Sequence, residues 1–495
     1  MEIGALIRRA ARHYGDDICL AEGDRNISFR EFDRMTDRLG VALLRRGLQP
    51  GDRVGVLLPN GVECLVAYYA LAKAGLVRVA LNSRDSLESH RYKLEDSGAR
   101  GLISSGAPDL QSEVALDIEE LKEICTQEND AACLIERALD DPFRLAYTGG
   151  TTGKPKAVTL TARGELSEVA AFLIDLMPNF KRGETFLHAA PIAHASGAFF
   201  LPALARGVRS VIMPKFEPKR FLETAADEGA HYTFLVPTML AMILEEPGMD
   251  QISTRFTRIA YGASPISPAL LARSEARFGR VFVQCYGQAE SPMAITCLQP
   301  QDHDRIGSCG RPFSLVEVAI VDEDDRLLPP GEIGEVVVRG PQTMAYYWNR
   351  PAETNRVFRN GWLHTGDIGT MDRDGFFYLK DRKNDMIISG GFNVYPREVE
   401  EVLEALDGII EAAVVGIPDE KWGERVHAVV TTRAPINLDV IHEYAKRRLA
   451  GYKCPKTIEV WPELPKSAAN KILRRSVREQ LIARLQVPAS ASAED

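Results

Sequence analysis

Residues 54–104 alternate between buried strands and helices, and that alternation leaves the chain few folds to choose from. Val54-Gly55-Val56-Leu57-Leu58 reads as a strand, Val62 to Ala74 as a helix ending at Gly75, Leu76 to Leu81 as a strand, Glu88 to Ser97 as a helix and Gly101 to Ser104 as a strand. Strands separated by whole helices are joined by crossovers rather than hairpins, so they lie parallel with helices packed on the sheet. The rhythm returns at Ser210 to Met213, Pro218 to Glu228 and Tyr232 to Val236. It changes near residue 311. Val316 to Val321, Glu335 to Arg339 and Gly375 to Leu379 are strands split by turns such as Asp372-Arg373-Asp374-Gly375, which predicts a small antiparallel unit over 311–381. A second change comes at Asp381-Arg382-Lys383-Asn384-Asp385. Beyond it lie a Pro-initiated helix from Pro396 to Leu406, a strand from Ala412 to Ile417 and a helix from Asp439 to Leu449. These predict a separate α+β domain of roughly a hundred residues. The expected fold is therefore α/β: a large N-terminal domain over 1–382, with the antiparallel unit at its end, and a smaller α+β domain over 383–495. The tail after Val487 is expected to be disordered.

At 495 residues the chain exceeds one typical core, which agrees with two or more domains. Hydrophobic content of 45%, charged content of 26% and a net charge of −9 describe an ordinary globular protein and argue against a general nucleic-acid binder. An anionic ligand is still admissible, because a local lysine and glycine site can oppose the global sign. No apolar run approaches a membrane span, and Met1 to Ala10 lacks the apolar core of a signal peptide. Eight scattered cysteines with no C-x-x-C pair suggest reduced thiols, no zinc site and a cytoplasmic location. The sequence does not reveal an oligomeric state.

Tyr147-Thr148-Gly149-Gly150-Thr151-Thr152-Gly153-Lys154-Pro155-Lys156 is the richest stretch for chemistry. It sits between Leu145-Ala146 and the strand-like run from Ala157 to Leu160. A glycine loop between strands exposes several N–H groups to a polyphosphate, while threonine hydroxyls and lysine charges add to them. The plain alternative is a flexible surface turn. A Walker-type loop is excluded: the glycine spacing is wrong, Pro155 follows Lys154, and the next residues read as extended. Further candidates are Tyr286-Gly287-Gln288-Ala289-Glu290 after a strand and His364-Thr365-Gly366-Asp367 between strands with its carboxylate on a turn. Ser389-Gly390-Gly391 opens a second glycine turn, and Lys466 to Arg475 is a basic loop entering the last helix. Each alone has an ordinary structural reading as a turn or a solvated face.

The order of these segments resembles the adenylate-forming superfamily of acyl-CoA synthetases, luciferases and peptide-synthetase adenylation domains. The resemblance covers nearly the whole chain: the loop at 148–156, Y-G-x-x-E at 286–290, W-x-x-T-G-D at 362–367, the run from 381 to 396 and the lysine at 471. It implies an N-terminal domain and a mobile C-terminal domain with the active site between them. It further implies that Thr148, Gly149, Gly150, Thr151, Thr152, Gly153 and Lys156 hold the ATP phosphates, with Thr152 in a catalytic position. Tyr286 and Gly287 would meet adenine beside Gly262-Ala263-Ser264, Glu290 would carry Mg²⁺, and Asp367 and Arg382 would grip the ribose. Lys471 would reach the acid carboxylate and α-phosphate, and Gly390-Gly391 would approach in the second half-reaction. The implied reaction activates a carboxylic acid to an acyl-AMP and then transfers the acyl group to a thiol, giving AMP and pyrophosphate.

Pro191-Ile192-Ala193-His194 matches the family segment that borders the acid pocket, and His194 stands where amino-acid-activating relatives carry an Asp. His194 is thus a catalytic-site candidate, with a buried structural histidine as the plain alternative. Phe199, Val236, Pro237, Tyr261, Gly262, Gly287 and Met293 are expected to wall the pocket, which suits an aliphatic or aryl acid. Tyr452-Lys453-Cys454-Pro455-Lys456 resembles a segment near the CoA path in CoA ligases, so CoA is the expected acceptor. The chain departs from the family at Gly149, Ala157, Ala289, Asn384 and Asn470. The last two bear on the mobile domain and keep a second outcome open: a carrier protein or amine acceptor, or activation of nitrite.

Overall fold

The computed structural model describes residues 2–107, 109–127, 131–148, 154–383, 385–419, 421–466 and 472–486. Among them, the alternation at 54–104 forms parallel strands Arg53–Leu57, Val77–Ala80 and Gly101–Ser104. They belong to a seven-stranded sheet whose other side carries Pro142–Tyr147 and then Ala157–Thr161. Val77–Ala80 pairs parallel to Pro142–Tyr147, which in turn pairs antiparallel to Ala157–Thr161. The helix Val62–Lys73 is apolar on every face because it is enclosed: Leu65, Val66, Ala67, Ala70 and Leu71 are fully buried. Each such Leu or Val contributes ~1.5–3 kcal/mol. Its one buried ammonium, Lys73, is satisfied by the Asp33 carbonyl at 2.8 Å and by the carboxylates of Asp33 and Asp37.

The second sheet has fourteen strands. Thr185–His188, Tyr232–Leu235, Arg258–Gly262 and Phe282–Gln288 run parallel through its centre, over a core rich in Phe172, Phe186, Phe199 and Phe234. Beyond Phe282–Gln288 the pairing turns antiparallel through Ser291–Leu298 and Ser308–Pro312. Ser308–Pro312 also pairs with Phe377–Arg382, so the antiparallel strands predicted over 311–381 continue this sheet. One expectation is corrected here. The segment 364–367 lies within the ten-residue strand Trp362–Met371, paired Asp367 to Arg382, and is not a loop between strands. Gly366 takes a φ of 71° there, which lets the strand kink without breaking.

Residues 387–460 build a third, five-stranded sheet. Helices Pro396–Glu404 and Leu438–Lys446 cover one face, with Val399, Leu403, Ile441 and Ala445 in the core. The last helix, Arg474–Gln486, covers the other through Val477 and Leu481 against Trp461 and Leu464. The glycine turn at 390–391 is the tip of a hairpin between Ile387–Ser389 and Phe392–Val394, ahead of the helix it was expected to enter. Among the described residues no helix is long and apolar enough to cross a membrane.

Candidate active site

The phosphate-loop candidate is the tip of the hairpin Pro142–Tyr147/Ala157–Thr161, closed by the Thr148 N–H donating to the Lys156 carbonyl at 3.0 Å. Gly149, Gly150, Thr151, Thr152 and Gly153 lie outside the described residues. The hairpin's shoulders are braced. The Tyr92 hydroxyl donates to the Pro155 carbonyl at 2.9 Å, and the Tyr147 hydroxyl lies 3.0 Å from Asp96 Oδ2, which Arg350 also pairs at 2.6 Å through Oδ1. Lys156 holds its ammonium 4.4 Å above the Tyr347 ring, an orienting cation–π contact.

Tyr347 also donates its hydroxyl to Glu290 Oε1 at 2.6 Å, and the Met344 N–H donates to the Glu290 carbonyl at 2.7 Å. Both carbonyl and carboxylate of Glu290 are thus held by the 344–347 segment, and Tyr346–Tyr347 pairs in turn with Ala157–Thr161. One half-buried carboxylate, with one oxygen held by a hydroxyl, suits a metal whose other ligands are phosphate oxygens and water. Burial and the neighbouring Glu290 charge both push the Tyr347 hydroxyl's pKa far up, so it remains a donor.

The nucleoside candidates gather at the C-terminal ends of adjacent parallel strands, the usual crevice for ligands in such sheets. Gly262 ends Arg258–Gly262 beside Cys285, whose carbonyl would lie 2.5 Å from any added Cβ. Ala263 follows with a φ of 70°, unusual for a residue with a Cβ, and Ser264 is half-buried. Tyr286 stands one strand over, and its hydroxyl donates to Asp367 Oδ2. Arg382 Nε lies 2.7 Å from Asp367 Oδ1. The strand pairing of Asp367 with Arg382 explains why two residues fifteen apart meet. Burial and the Asp367 charge together push the Tyr286 hydroxyl's pKa well up. Gly287 and Glu290 complete the same hairpin, where a Cβ at 287 would lie 2.3 Å from the Met293 nitrogen.

His194 sits before the short helix Ala195–Ala198, exposed, with its Nε2 2.8 Å from Asn82 Nδ2. The approach to it is pinned by Asn60, which donates to the Ala190 and Met213 carbonyls and accepts from the Ile192 N–H at 2.8 Å. His188, fully buried between Ser196 and Ser210, is pushed down to about 3 by burial and is therefore neutral. Two expected pocket walls are corrected. Phe199 is sealed among Phe172, Phe186 and Phe234, and Tyr261 is 1% exposed with its hydroxyl on Gln284 and His303. Both are core residues. Val236, Gly287 and Met293 are half-buried, and Pro237 and Gly262 are buried.

At the junction with the third sheet, Arg474 reaches Asp381 at 2.8 Å and Asp385 at 3.0 Å, on either side of residue 384, and Glu400 at 2.5 Å. Lys383 is tied back by its N–H to the Gly366 carbonyl at 2.8 Å and by its ammonium to Glu335 at 3.1 Å. Asn384 and Lys471 lie outside the described residues. Gly390, at a φ of 59°, donates its N–H to the Trp422 carbonyl, and Gly391 follows at 81°. Sequence reasoning missed Asn60, Asn82, His188 and Tyr347. None lies in a motif, and only the last carries a visible signal, an aromatic triplet at 346–348.

Residues 7–348 match the AMP-binding enzyme family, and residues 398–471 match the AMP-binding enzyme C-terminal domain. The chain is an AMP-binding enzyme. It is 35% identical over 514 residues to a medium/long-chain-fatty-acid–CoA ligase of Mycobacterium tuberculosis, covering 96% of this chain and 89% of that protein. It is 36% identical to a feruloyl-CoA synthase of an Amycolatopsis species, over 97% and 99% of the two chains. Its fold superposes on the o-succinylbenzoate-CoA synthetase of Bacillus subtilis in complex with its acyl-adenylate intermediate, with a TM-score of 0.87 and 31% identity over 96% and 97% of the chains.

Proposed function

We propose that this AMP-binding enzyme activates a carboxylic acid with ATP and passes the acyl group to CoA. The acid oxygen bonds to the α-phosphorus and pyrophosphate leaves. The CoA sulfur then bonds to the acyl carbon and AMP leaves. The observation that carries the reading is Asp367, held at once by the Tyr286 hydroxyl and Arg382. A carboxylate so fixed would grip the ribose hydroxyls, beside an aromatic ring for the base. Thr148, Lys156 and the loop residues Gly149 to Gly153, with Thr152, would hold the phosphates. Glu290 would hold Mg²⁺, which supplies charge neutralisation on the phosphate oxygens. Lys471 would neutralise charge where the acid attacks. His194 would border the acid.

The chain divides, in this reading, into 1–382 and 383–495, pivoting at Asn384. Lys383 is anchored to Gly366 and Glu335 of the first part, and the Arg474 bridge to Asp381 ties the second part to it, so rotation near Asn384 would have to break that bridge. After rotation, the Gly390-Gly391 hairpin would approach the adenylate. Phe392 stacks on Tyr452 at 4.7 Å and Lys456 lies 5.4 Å over Trp422, so aromatic faces and ammonium groups stand together near the hairpin, as an adenine and phosphates require. Lys453 pairs with Glu398 at 2.6 Å beside the same hairpin. Free thiols at all eight cysteines and the use of ATP and CoA support a cytoplasmic location.

The test is acid-dependent ATP–pyrophosphate exchange with aliphatic and aryl acids, followed by thioester formation on adding CoA. Exchange without a thioester, for any acid, would refute CoA as acceptor; no exchange with any acid would refute acid activation.

A further inference from the structure

The contact between Asn82 and His194 joins the two large sheets. Asn82 follows the strand Val77–Ala80, the neighbour of the phosphate-loop hairpin in the seven-stranded sheet. His194 follows Thr185–His188 in the fourteen-stranded sheet. Asn82 is 8% exposed and held on three sides. Its side-chain oxygen accepts the Arg84 N–H at 3.1 Å, and its carbonyl accepts the Asp85 N–H at 2.9 Å and lies 2.9 Å from His90 Nε2.

Those partners decide the chemistry of the contact. The Arg84 N–H can only donate, so the atom facing it is the amide oxygen. The amide nitrogen therefore faces His194, and it too can only donate. Nε2 of His194 must accept, and the neutral ring carries its proton on Nδ1. We propose that Asn82 is a positioning residue for acid activation: it fixes His194 in the Nδ1–H tautomer and presents that nitrogen, as a hydrogen-bond donor, to the reacting acid. The inference rests on the reading that His194 borders the acid. A donor of fixed direction suits the acid's carboxylate oxygens, which only accept, and a freely rotating ring would present it only part of the time.

Asn82→Asp tests this with one change of sign. A carboxylate still accepts the Arg84 N–H, so the turn at 82–85 persists, but it presents an acceptor to His194 and puts a proton on Nε2, either by moving the one on Nδ1 or by adding a second. A purely structural Asn82 predicts that any loss of rate comes with a loss of thermal stability. We expect ¹⁵N spectra of histidine-labelled enzyme, with the His194 signal identified by its loss in His194→Gln, to show Nε2 unprotonated in the wild type and protonated in Asn82→Asp. We expect the maximal exchange rate to fall by roughly tenfold or more, with the KM for ATP within about twofold, and the thermal transition unchanged. Asn82→Ala should lower the rate similarly while leaving the tautomers mixed. Wild-type tautomer and rate in Asn82→Asp would overturn the proposal. An unchanged exchange rate in His194→Gln would instead overturn the placement of His194 at the acid, while the spectra still decide whether Asn82 sets its tautomer.

Discussion

Tyr347→Phe should raise the magnesium requirement of the first half-reaction and do little else. The substitution removes one atom. Tyr347 is 4% exposed and its ring is kept, so the pairing of Tyr346–Tyr347 with Ala157–Thr161 and the Lys156 contact at 4.4 Å are both retained. What disappears is a 2.6 Å hydrogen bond to the Glu290 carboxylate. Hydrogen bonds to a charged group contribute about 1.5–3 kcal/mol. Glu290 is half-buried, so water can replace part of the contact, and ~1.4 kcal/mol is the better expectation, a factor of about ten. In pyrophosphate exchange followed across a magnesium titration, the half-saturating magnesium should rise by about tenfold, while the rate at saturating magnesium stays within about threefold. Two outcomes would refute the reasoning. An unchanged magnesium dependence would mean that the hydroxyl does not orient Glu290 for a metal. A loss that magnesium cannot recover would mean that the hydroxyl acts on something other than Glu290.

Asp367→Asn removes the charged partner of Arg382 and weakens the contact to Tyr286; the KM for ATP should rise roughly tenfold to a hundredfold, with acid affinity little changed in the same steady-state assay. Gly390→Ala forces a Cβ onto a φ of 59° and to within 2.8 Å of the Trp422 ring. A penalty of about 1–2 kcal/mol should slow thioester formation roughly five- to thirty-fold and leave exchange intact, so equal losses in both would refute the assignment of this turn to the second step. Glu335 supplies a pH test. Burial raises its pKa, but hydrogen bonds from His364 and Lys383 prevail and hold it at about 2 against an ordinary 4.5. A depressed carboxylate stabilises the fold above 4.5 and loses that contribution as pH falls toward 2. Lys383 and Arg359 are half-exposed, so screening leaves on the order of 2 kcal/mol. Urea midpoints should therefore fall more steeply over that window in the wild type than in Glu335→Gln.

The strand–helix rhythm at 54–104 located a parallel sheet because crossover connections leave no alternative, and the element boundaries fell within a few residues. The same reading placed a small antiparallel unit over 311–381 at the end of the N-terminal domain. A sequence records turns between strands but not the pairing of Ser308–Pro312 with Phe377–Arg382, which makes those strands part of the larger sheet. In the sequence, Asp367 reads as a turn residue because glycine precedes it. Gly366 instead kinks a strand whose register sets Asp367 against Arg382. Phe199 and Tyr261 were expected at the pocket because they lie near its motifs, whereas aromatic packing and a buried hydroxyl network draw both into the core.

The sequence by itself determined the class of chemistry. Glycines, threonines and lysines at 148–156, and the ordered motifs ending at Lys471, are local patterns, and local patterns survive in one dimension. Only the tertiary structure decided how the working groups are held. The Tyr347 hold on Glu290, the Asn82 hold on His194 and the Arg474 bridge across residue 384 join residues 57, 112 and up to 93 positions apart. Such contacts depend on which strand ends lie side by side and which atom of a side chain is already engaged. Neither is written in the order of residues, because hydrogen bonds are fixed by geometry after the sheets have packed.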